Sequence, residues 1–255
     1  MLHVGIDLHG TLIGDHPEEV SAQALPRLLE AMRALRHRVR LYACTGNDLG
    51  FLRRKLPVEV LSLLDGAVLE TGCVGSDLET ETVLVDAQAL ATIRVLETDL
   101  RTRHFPWVYK FARRLATISM FTRIGLRAAD FRDETQDAVT RQGSAELVRV
   151  TYSSVAVDIV PKGFNKLTGL RRLARGEPVA GIADSMNDLE LVSGADYAFL
   201  PANSSEELLR RLALSGKSVR EIGEASGLRS QEAILCSEGF TEAVTEALEF
   251  LARES

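Results

Sequence analysis

The sequence predicts an α/β fold, in which a Rossmann-like core built on a parallel sheet is interrupted by an inserted α+β cap. Two observations indicate the core. First, short apolar runs that do not alternate strictly with polar residues are typical of strands buried on both faces. Second, a segment with helical spacing separates the first two runs, and strand–helix–strand order favours a right-handed crossover within a parallel sheet. The apolar runs lie at 2–7, 38–44, 65–71 and 178–184.

The helical segment between the first two runs carries apolar residues at near-helical spacing. Pro26 lies early in this segment, so it predicts either a kink or a helix that starts late. The spaced apolar residues are Val20, Leu25, Leu28, Met32 and Leu35.

The third observation is a change of pattern in the middle of the chain. There, apolar runs at 81–86, 116–123, 147–153 and 155–161 alternate with helical stretches near 87–104 and 129–141. We therefore predict an inserted α+β cap at 79–160 and a core formed by 1–78 and 161–255. The last part of the core returns to helix–strand alternation. Its expected elements are helices at 165–175, 186–193 and 239–253 and strands at 178–184 and 196–200.

Composition limits the classes of function. The net charge is −6 and the pI is about 5.5, which argues against a broad nucleic-acid-binding face. No apolar run approaches the ~20 residues that a membrane span needs, and the start of the chain lacks a secretory pattern. Three cysteines without a CxxC spacing and five histidines without HExxH indicate neither disulfides nor zinc. We expect a cytoplasmic protein that binds neither nucleic acid nor membrane.

The first strand ends in the segment Asp7-Leu8-His9-Gly10-Thr11-Leu12. Ligands of open α/β sheets bind beyond the carboxyl ends of the strands, and Asp7 is expected at that edge. Gly10 permits a sharp turn, and Thr11 can hold the turn by hydrogen bonding. Since turns of this composition are common, an ordinary strand end remains the alternative at this point.

The second core strand ends in Cys44-Thr45-Gly46-Asn47, just before a predicted helix. This segment brings a hydroxyl group and free backbone N–H groups to the same edge, where phosphate oxygens bind readily. Thr45 as a plain helix cap explains the segment equally well.

Lys166 opens a helix after the predicted cap. A cation is unfavourable at a helix N-terminus, so a bound anion would account for it. The alternative is a solvated surface lysine.

Two carboxylates, Asp184 and Asp188, follow a further strand, with Asn187 between them. Together with Asp7 they form an oxygen-rich set that suits Mg²⁺, a hard cation. The alternative that Asp188 caps the following helix remains open.

The order Asp7, Thr45, Lys166, Asp184 and Asp188 resembles the haloacid dehalogenase superfamily. The large insertion between Thr45 and Lys166 resembles its Cof-type phosphatase branch, which includes archaeal phosphoglycolate, sucrose-phosphate and mannosylphosphoglycerate phosphatases. The segments similar to the motifs of that branch are AVLETG (67–72), DIVPKGFNK (158–166), ADSMND (183–188) and EGFTEAVTEAL (238–248).

The resemblance implies a role for each matching residue. Asp7 corresponds to the nucleophile, and Thr45 and Lys166 correspond to groups that hold the phosphoryl oxygens, with Gly46 and Asn47 beside them. Asp184 corresponds to a direct Mg²⁺ ligand and Asp188 to a ligand acting through water. Asn187 would brace the site. Lys166 and Asp184 are expected at a strand edge that solvent reaches.

Three departures from the family pattern concern the site. The second aspartate of DxDGT, which serves as general acid and base in the family, is His9 here. Ala183 replaces a glycine, and Thr71 replaces the asparagine of a Glu-Asn-Gly segment. The family also uses the backbone carbonyl at the position of His9 as a metal ligand. This carbonyl is present whatever the side chain.

The resemblance therefore implies a Mg²⁺-dependent phosphomonoester hydrolase that forms an aspartyl-phosphate, with a cap that closes to exclude water. The expected partner is a small phosphosugar or phosphorylated organic acid, and the protein is expected to be a monomer or homodimer. Two alternatives stay open: a catalytically weak or inactive phospho-ligand-binding protein, and a phosphotransferase or mutase.

Overall fold

The computed structural model describes residues 1–14, 16–153 and 155–254. The strands are β1 Leu2–Asp7, β2 Val39–Cys44, β3 Gly66–Leu69, β4 Val74–Ser76, β5 Glu81–Val83, β6 Val108–Phe111, β7 Ile118–Thr122, β8 Val148–Tyr152, β9 Ala156–Pro161, β10 Val179–Ile182, β11 Tyr197–Leu200, β12 Ser218–Glu221 and β13 Glu232–Leu235. The helices are α1 Leu25–Leu35, α2 Leu49–Lys55, α3 Val58–Leu61, α4 Ala87–Thr102, α5 Arg132–Arg141, α6 Lys166–Ala174, α7 Leu189–Gly194, α8 Glu206–Leu214 and α9 Phe240–Glu254. None of these helices has the length and apolar character that crossing a membrane requires.

The larger sheet confirms the predicted fold class. In the described residues its strand order is β12-β13-β11-β10-β1-β2-β3-β4-β5. The pairs from β12 to β3 are parallel, whereas β3 and β4 are antiparallel. Strand β1 lies between β10 and β2 and is almost fully buried, as its lack of strict polar–apolar alternation predicts. Helix α1 starts at Leu25 with Pro26 in its first turn, which agrees with the late start.

The second sheet is antiparallel, with the order β6-β7-β9-β8 in the described residues. Apolar side chains from this sheet pack with α4 and α5 in a core of their own. The apolar run at 81–86 was expected in the cap, but its strand, Glu81–Val83, is the last one in the order of the larger sheet.

Two compact units follow from the contacts within the chain. One comprises Met1–Glu81 and Asn165–Ser255, and the other comprises Thr82–Phe164. The insertion predicted from sequence was 79–160.

A close approach of two glycines fixes the start of helix α6. A Cβ atom on Gly169 would lie 2.7 Å from Cα of Gly72, and a Cβ atom on Gly72 would lie 1.9 Å from the carbonyl oxygen of Asn165. Gly72 also has a φ of +92°, which glycine adopts without strain. Asn165 and Thr168 form a capping box at the same helix end. Lys166, the first residue of α6, is therefore held in place from two sides.

His3 is a buried polar residue far from the carboxyl ends of the strands. It is 9% exposed, its ring stacks on Tyr42 with centroids 5.5 Å apart, and its Nδ1 has no hydrogen-bond partner in the described part of the chain. Burial lowers the pKa of His3 below its ordinary value of 6.5. The surrounding charges act in both directions: Glu177 and Asp65 raise the pKa, and the N-terminal amino group and Arg40 lower it.

This burial predicts a pH-dependent stability. The unfolded chain protonates His3 more readily than the folded chain does, so the free energy of unfolding should fall as the pH drops below about 6.5. His3→Phe keeps an aromatic ring against Tyr42 and should weaken this fall, whereas His37→Gln, at an exposed position, should keep it. Urea unfolding between pH 5 and pH 8 measures the effect. If the free energy of unfolding depends on pH in the same way for wild type and His3→Phe, this prediction is contradicted.

Candidate active site

Three of the predicted site residues, Asp7, Thr45 and Asp184, lie at or just after the ends of neighbouring strands in the larger sheet. Strand β1 ends at Asp7, which pairs with Cys44 at the end of β2, and Ile6 pairs with Ile182 at the end of β10. Thr45 and Asp184 come one and two residues after these strand ends. Because β1 lies between β2 and β10, the three segments meet at the carboxyl edge of the sheet.

Lys166 lies between two buried carboxylates. Its Nζ is 2.5 Å from Oδ1 of Asp7 and 2.7 Å from Oδ1 of Asp188, and it donates a hydrogen bond of 2.9 Å to Oδ2 of Asp188. Burial disfavours the charged amine, but Asp188 and Asp7 outweigh burial and raise the pKa of Lys166. The ammonium group therefore stays charged.

The burial of this cluster corrects two expectations. Lys166 is only 9% exposed, and thus it is neither a solvated surface lysine nor at an edge that solvent reaches freely. Asp188 is 2% exposed, and its side chain makes no capping hydrogen bond to helix α7. Both side chains point to each other because an isolated buried charge is far more costly than a buried pair.

Thr11 connects Asp7 with Asp184. Its hydroxyl oxygen, which is fully buried, lies 3.2 Å from Oδ2 of Asp7 and 3.0 Å from Oδ1 of Asp184. A hydroxyl group donates only one proton, so it serves both carboxylates at once only when one of them carries a proton.

The cluster has more negative than positive charge. Burial and the nearby Asp7 raise the pKa of Asp184 to about 7. Burial also raises the pKa of Asp188 to about 7, against the opposing effect of Lys166. Three carboxylates share one ammonium group, which is an arrangement that a divalent cation would neutralise.

The donor set fits Mg²⁺. Among the described residues, no group of three or more His, Cys, Asp and Glu side chains is arranged to hold a metal ion. Mg²⁺ does not require one, because it is commonly held by one or two carboxylates, with water and substrate oxygens completing the shell. Asp7 and Asp184, joined through Thr11, supply two such carboxylates.

Gly10 allows Asp184 to approach the loop after β1. A Cβ atom at Gly10 would lie 2.3 Å from Oδ2 of Asp184, and the φ of Gly10 is +77°. Any larger residue would displace the carboxylate and strain the turn.

Free donors surround the cluster. The backbone amides of His9 and Gly46 donate to no oxygen of the described residues. Thr45 is 2% exposed, and its hydroxyl oxygen accepts a 3.1 Å bond from the amide of Asn47, which leaves the hydroxyl proton available. Unpaired donors of this kind at a strand edge form an anion-binding site.

His9 lies partly exposed beside the cluster. Its ring centroid is 5.3 Å from that of Phe51, and no side chain in the described part of the chain hydrogen-bonds to its imidazole. Burial lowers the pKa of His9, while Asp7 and Glu18 oppose the shift. The ring is therefore free to meet a ligand.

The remaining predicted residue, Asn187, does not join the cluster. It lies on the short 3₁₀ helix Met186–Asp188 and is exposed.

Sequence reasoning missed Asn203, whose side-chain Nδ2 donates a 2.8 Å hydrogen bond to the carbonyl of Gly10. Asn203 follows the end of strand β11 by three residues, so the strand-end rule that found the other residues also reaches it.

The family comparison matches residues 116–223 to the model of the haloacid dehalogenase-like hydrolases. The matched segment contains Lys166, Asp184 and Asp188, while Asp7 and Thr45 lie before it. No curated protein matches the chain in sequence.

Solved structures share the fold over nearly the whole chain. Sucrose-phosphatase from Synechocystis sp. PCC6803, solved with sucrose and phosphate, is 21% identical and covers 98% of this chain and 97% of its own, with a TM-score of 0.65. A haloacid dehalogenase-like hydrolase from Bacteroides thetaiotaomicron is 16% identical and covers 98% of both chains, with a TM-score of 0.66. A phosphatase of the same superfamily from that organism is 15% identical, covering 98% of this chain and 95% of its own, with a TM-score of 0.63.

The family-model match and the fold together confirm the resemblance to the haloacid dehalogenase superfamily. They also support its Cof-type branch.

The charge excess predicts opposite effects of Asp184→Asn on stability and on metal binding. In metal-free buffer this variant should melt at a higher temperature than wild type, because it removes one of the crowded negative charges. Mg²⁺ should stabilise wild type, by about 2.7 kcal/mol at 100 times its Kd. It should stabilise Asp184→Asn far less.

Thermal melts with EDTA and with increasing Mg²⁺ check both parts, with Asp133→Asn at an exposed position as the control. An Asp184→Asn protein that melts lower without metal, or that gains as much from Mg²⁺ as wild type does, would refute the proposed charge excess.

Proposed function

We propose that this protein is a Mg²⁺-dependent phosphomonoester hydrolase that acts on a small phosphosugar or phosphorylated organic acid, with Asp7 as the nucleophile. The observation that carries the proposal is the buried contact of Asp7 with Lys166 beside Asp184, at the carboxyl end of the central strand. The phosphatase-type function also has support from the family description and from the shared fold of the phosphatases named above.

The phosphoryl group has suitable donors on several sides. The Lys166 ammonium, the Thr45 hydroxyl proton and the free amides of His9 and Gly46 are all available to its oxygens. These groups offset the charge that would otherwise keep the Asp7 carboxylate from an anionic phosphate. Asn47 is proposed beside them because its amide orders the Thr45 side chain.

The residues proposed to hold Mg²⁺ are Asp7, Asp184 and the backbone carbonyl of His9, with Asp188 acting through water. When bound, the metal supplies neutralising charge for the phosphoryl oxygens. Asn187 retains its proposed role only if it turns inward from its exposed position.

The chemistry takes two displacements at phosphorus. A carboxylate oxygen of Asp7 attacks phosphorus, the bond to the ester oxygen breaks, and that oxygen leaves with a proton from His9. Water then attacks the phosphorus of the aspartyl-phosphate, gives its proton to His9 and releases phosphate and the Asp7 carboxylate. One ester and one water become one alcohol and one phosphate.

The first test is a screen of phosphorylated sugars and organic acids with Mg²⁺, read as released phosphate. Wild type should release phosphate from members of this class, and Asp7→Asn should not, because it loses both the nucleophile and a metal ligand. Asp133→Asn serves as the control. Near wild-type turnover by Asp7→Asn would show that Asp7 is not the nucleophile, and transfer to a sugar acceptor in place of water would favour the phosphotransferase alternative.

His9 separates an enzyme from a weak phospho-ligand-binding protein. If its imidazole exchanges the proton with the leaving oxygen, His9→Ala should lower kcat by about 10²–10⁴-fold, the usual worth of a general acid. His9→Asp restores the carboxylate of the family pattern and is the matched comparison. Unchanged kcat in His9→Ala with a large gain in His9→Asp would favour the binding-protein alternative.

A further inference from the structure

We propose that Asn203 is a positioning residue, which holds the Gly10–Thr11 peptide in the orientation that brings Thr11 between Asp7 and Asp184. This inference rests on the proposed function for its consequence in catalysis. Its geometric part stands on the hydrogen bonds alone.

Asn203 uses both ends of its side-chain amide. Nδ2 donates to the carbonyl of Gly10 at 2.8 Å, and Oδ1 accepts from the amide of Phe240 at 3.0 Å. A side chain in this position must donate at one end and accept at the other. Aspartate keeps the acceptor but presents a second oxygen to the Gly10 carbonyl, so only an amide satisfies both contacts.

The turn that contains Gly10 forms backbone hydrogen bonds within itself. The amides of Gly10, Leu12 and Ile13 donate to the carbonyls of Ile13, Asp7 and Leu8, respectively. These bonds close the loop on itself. In the part of the chain that the structure describes, the hydrogen bond from Asn203 links the Gly10 carbonyl to a segment 193 residues away.

A small rotation of the Gly10–Thr11 peptide has direct consequences at the carboxylates. It moves the Thr11 hydroxyl, which lies 3.2 Å from Asp7 and 3.0 Å from Asp184. It also moves Gly10, against which the Asp184 carboxylate is packed without room for a Cβ atom. Displacements of about 1 Å at a catalytic group can cost 10²-fold in rate.

The segment around Asn203 also holds Asp184 directly. The amide of Ser205 donates to the carbonyl of Asp184 at 2.9 Å. The short segment 203–205 therefore holds the carbonyls of both Gly10 and Asp184. These carbonyls lie on the two sides of the hydrogen bond between Thr11 and Asp184. The first turn of α9 adds a parallel support, since the Thr241 hydroxyl donates to the carbonyl of Leu12 at 2.8 Å.

The test compares Asn203→Asp and Asn203→Ala with a control that loses a side-chain hydrogen bond within a single helix. Thr245→Val is that control, because the Thr245 hydroxyl donates its hydrogen bond to the carbonyl of Thr241 within α9. Phosphate release with Mg²⁺ gives kcat and KM for each protein. Amide hydrogen exchange on the metal-free proteins gives the protection of Gly10, Leu12 and Ile13.

We expect both Asn203 variants to lower kcat by about 10–100-fold with KM changed less than about threefold. Exchange at the three loop amides should become about tenfold faster or more. Thr245→Val should keep wild-type kcat and loop protection even if its melting temperature falls.

The proposal is overturned if the Asn203 variants keep loop protection, or if their kcat loss is matched by Thr245→Val at an equal loss of stability. If wild type releases no phosphate from any substrate, the proposed function fails, and the exchange comparison alone decides the positioning role. Faster loop exchange in Asn203→Asp but not in Thr245→Val then supports it, and equal exchange rejects it.

Discussion

The ammonium group of Lys166 between Asp7 and Asp188 is the interaction on which the site depends. Without it, the buried carboxylates of Asp7 and Asp188 and the partly exposed one of Asp184 would lie close together, and their repulsion would be unopposed. With it, the cluster still carries excess negative charge. Burial and the nearby charge of Asp7 raise the pKa of Asp184 to about 7. The charges of such a site are not balanced by the protein itself. The site is suited to bind a cation together with an anionic group.

The surrounding fold holds this cluster with contacts between segments that are distant in sequence. The capping box of Asn165 and Thr168 starts helix α6, and the close approach of Gly72 to Gly169 sets the position of that helix. The loop after β1 is tied to the segment at Asn203 and to the first turn of α9. The carboxyl edge of the sheet thus gathers residues from the first, middle and last parts of the core.

The sequence predicted the fold class, the crossover helix and most strand positions, because strands buried on both faces give short apolar runs without strict alternation. It also predicted that Asp7, Asp184 and Asp188 would meet Lys166. The signal was that polar residues lie at, or one to two residues after, the ends of β1, β2 and β10. It did not predict strands β6, β12 and β13, which are short and partly exposed. The burial of Lys166 and the hydrogen bond from Asn203 to Gly10 were also missed, because both depend on partners more than 150 residues away.

The central claim, that Asp7 is a nucleophile held ready by Lys166, has one direct measurement. Wild-type protein is mixed with Mg²⁺ and a substrate, quenched in acid at short times, digested and analysed by mass spectrometry for the peptide that contains Asp7. The account predicts one added phosphoryl group on Asp7 that appears before steady release of phosphate and disappears as substrate is exhausted. A phosphoryl group on another side chain, or steady release with no adduct on Asp7 at any quench time, would contradict it.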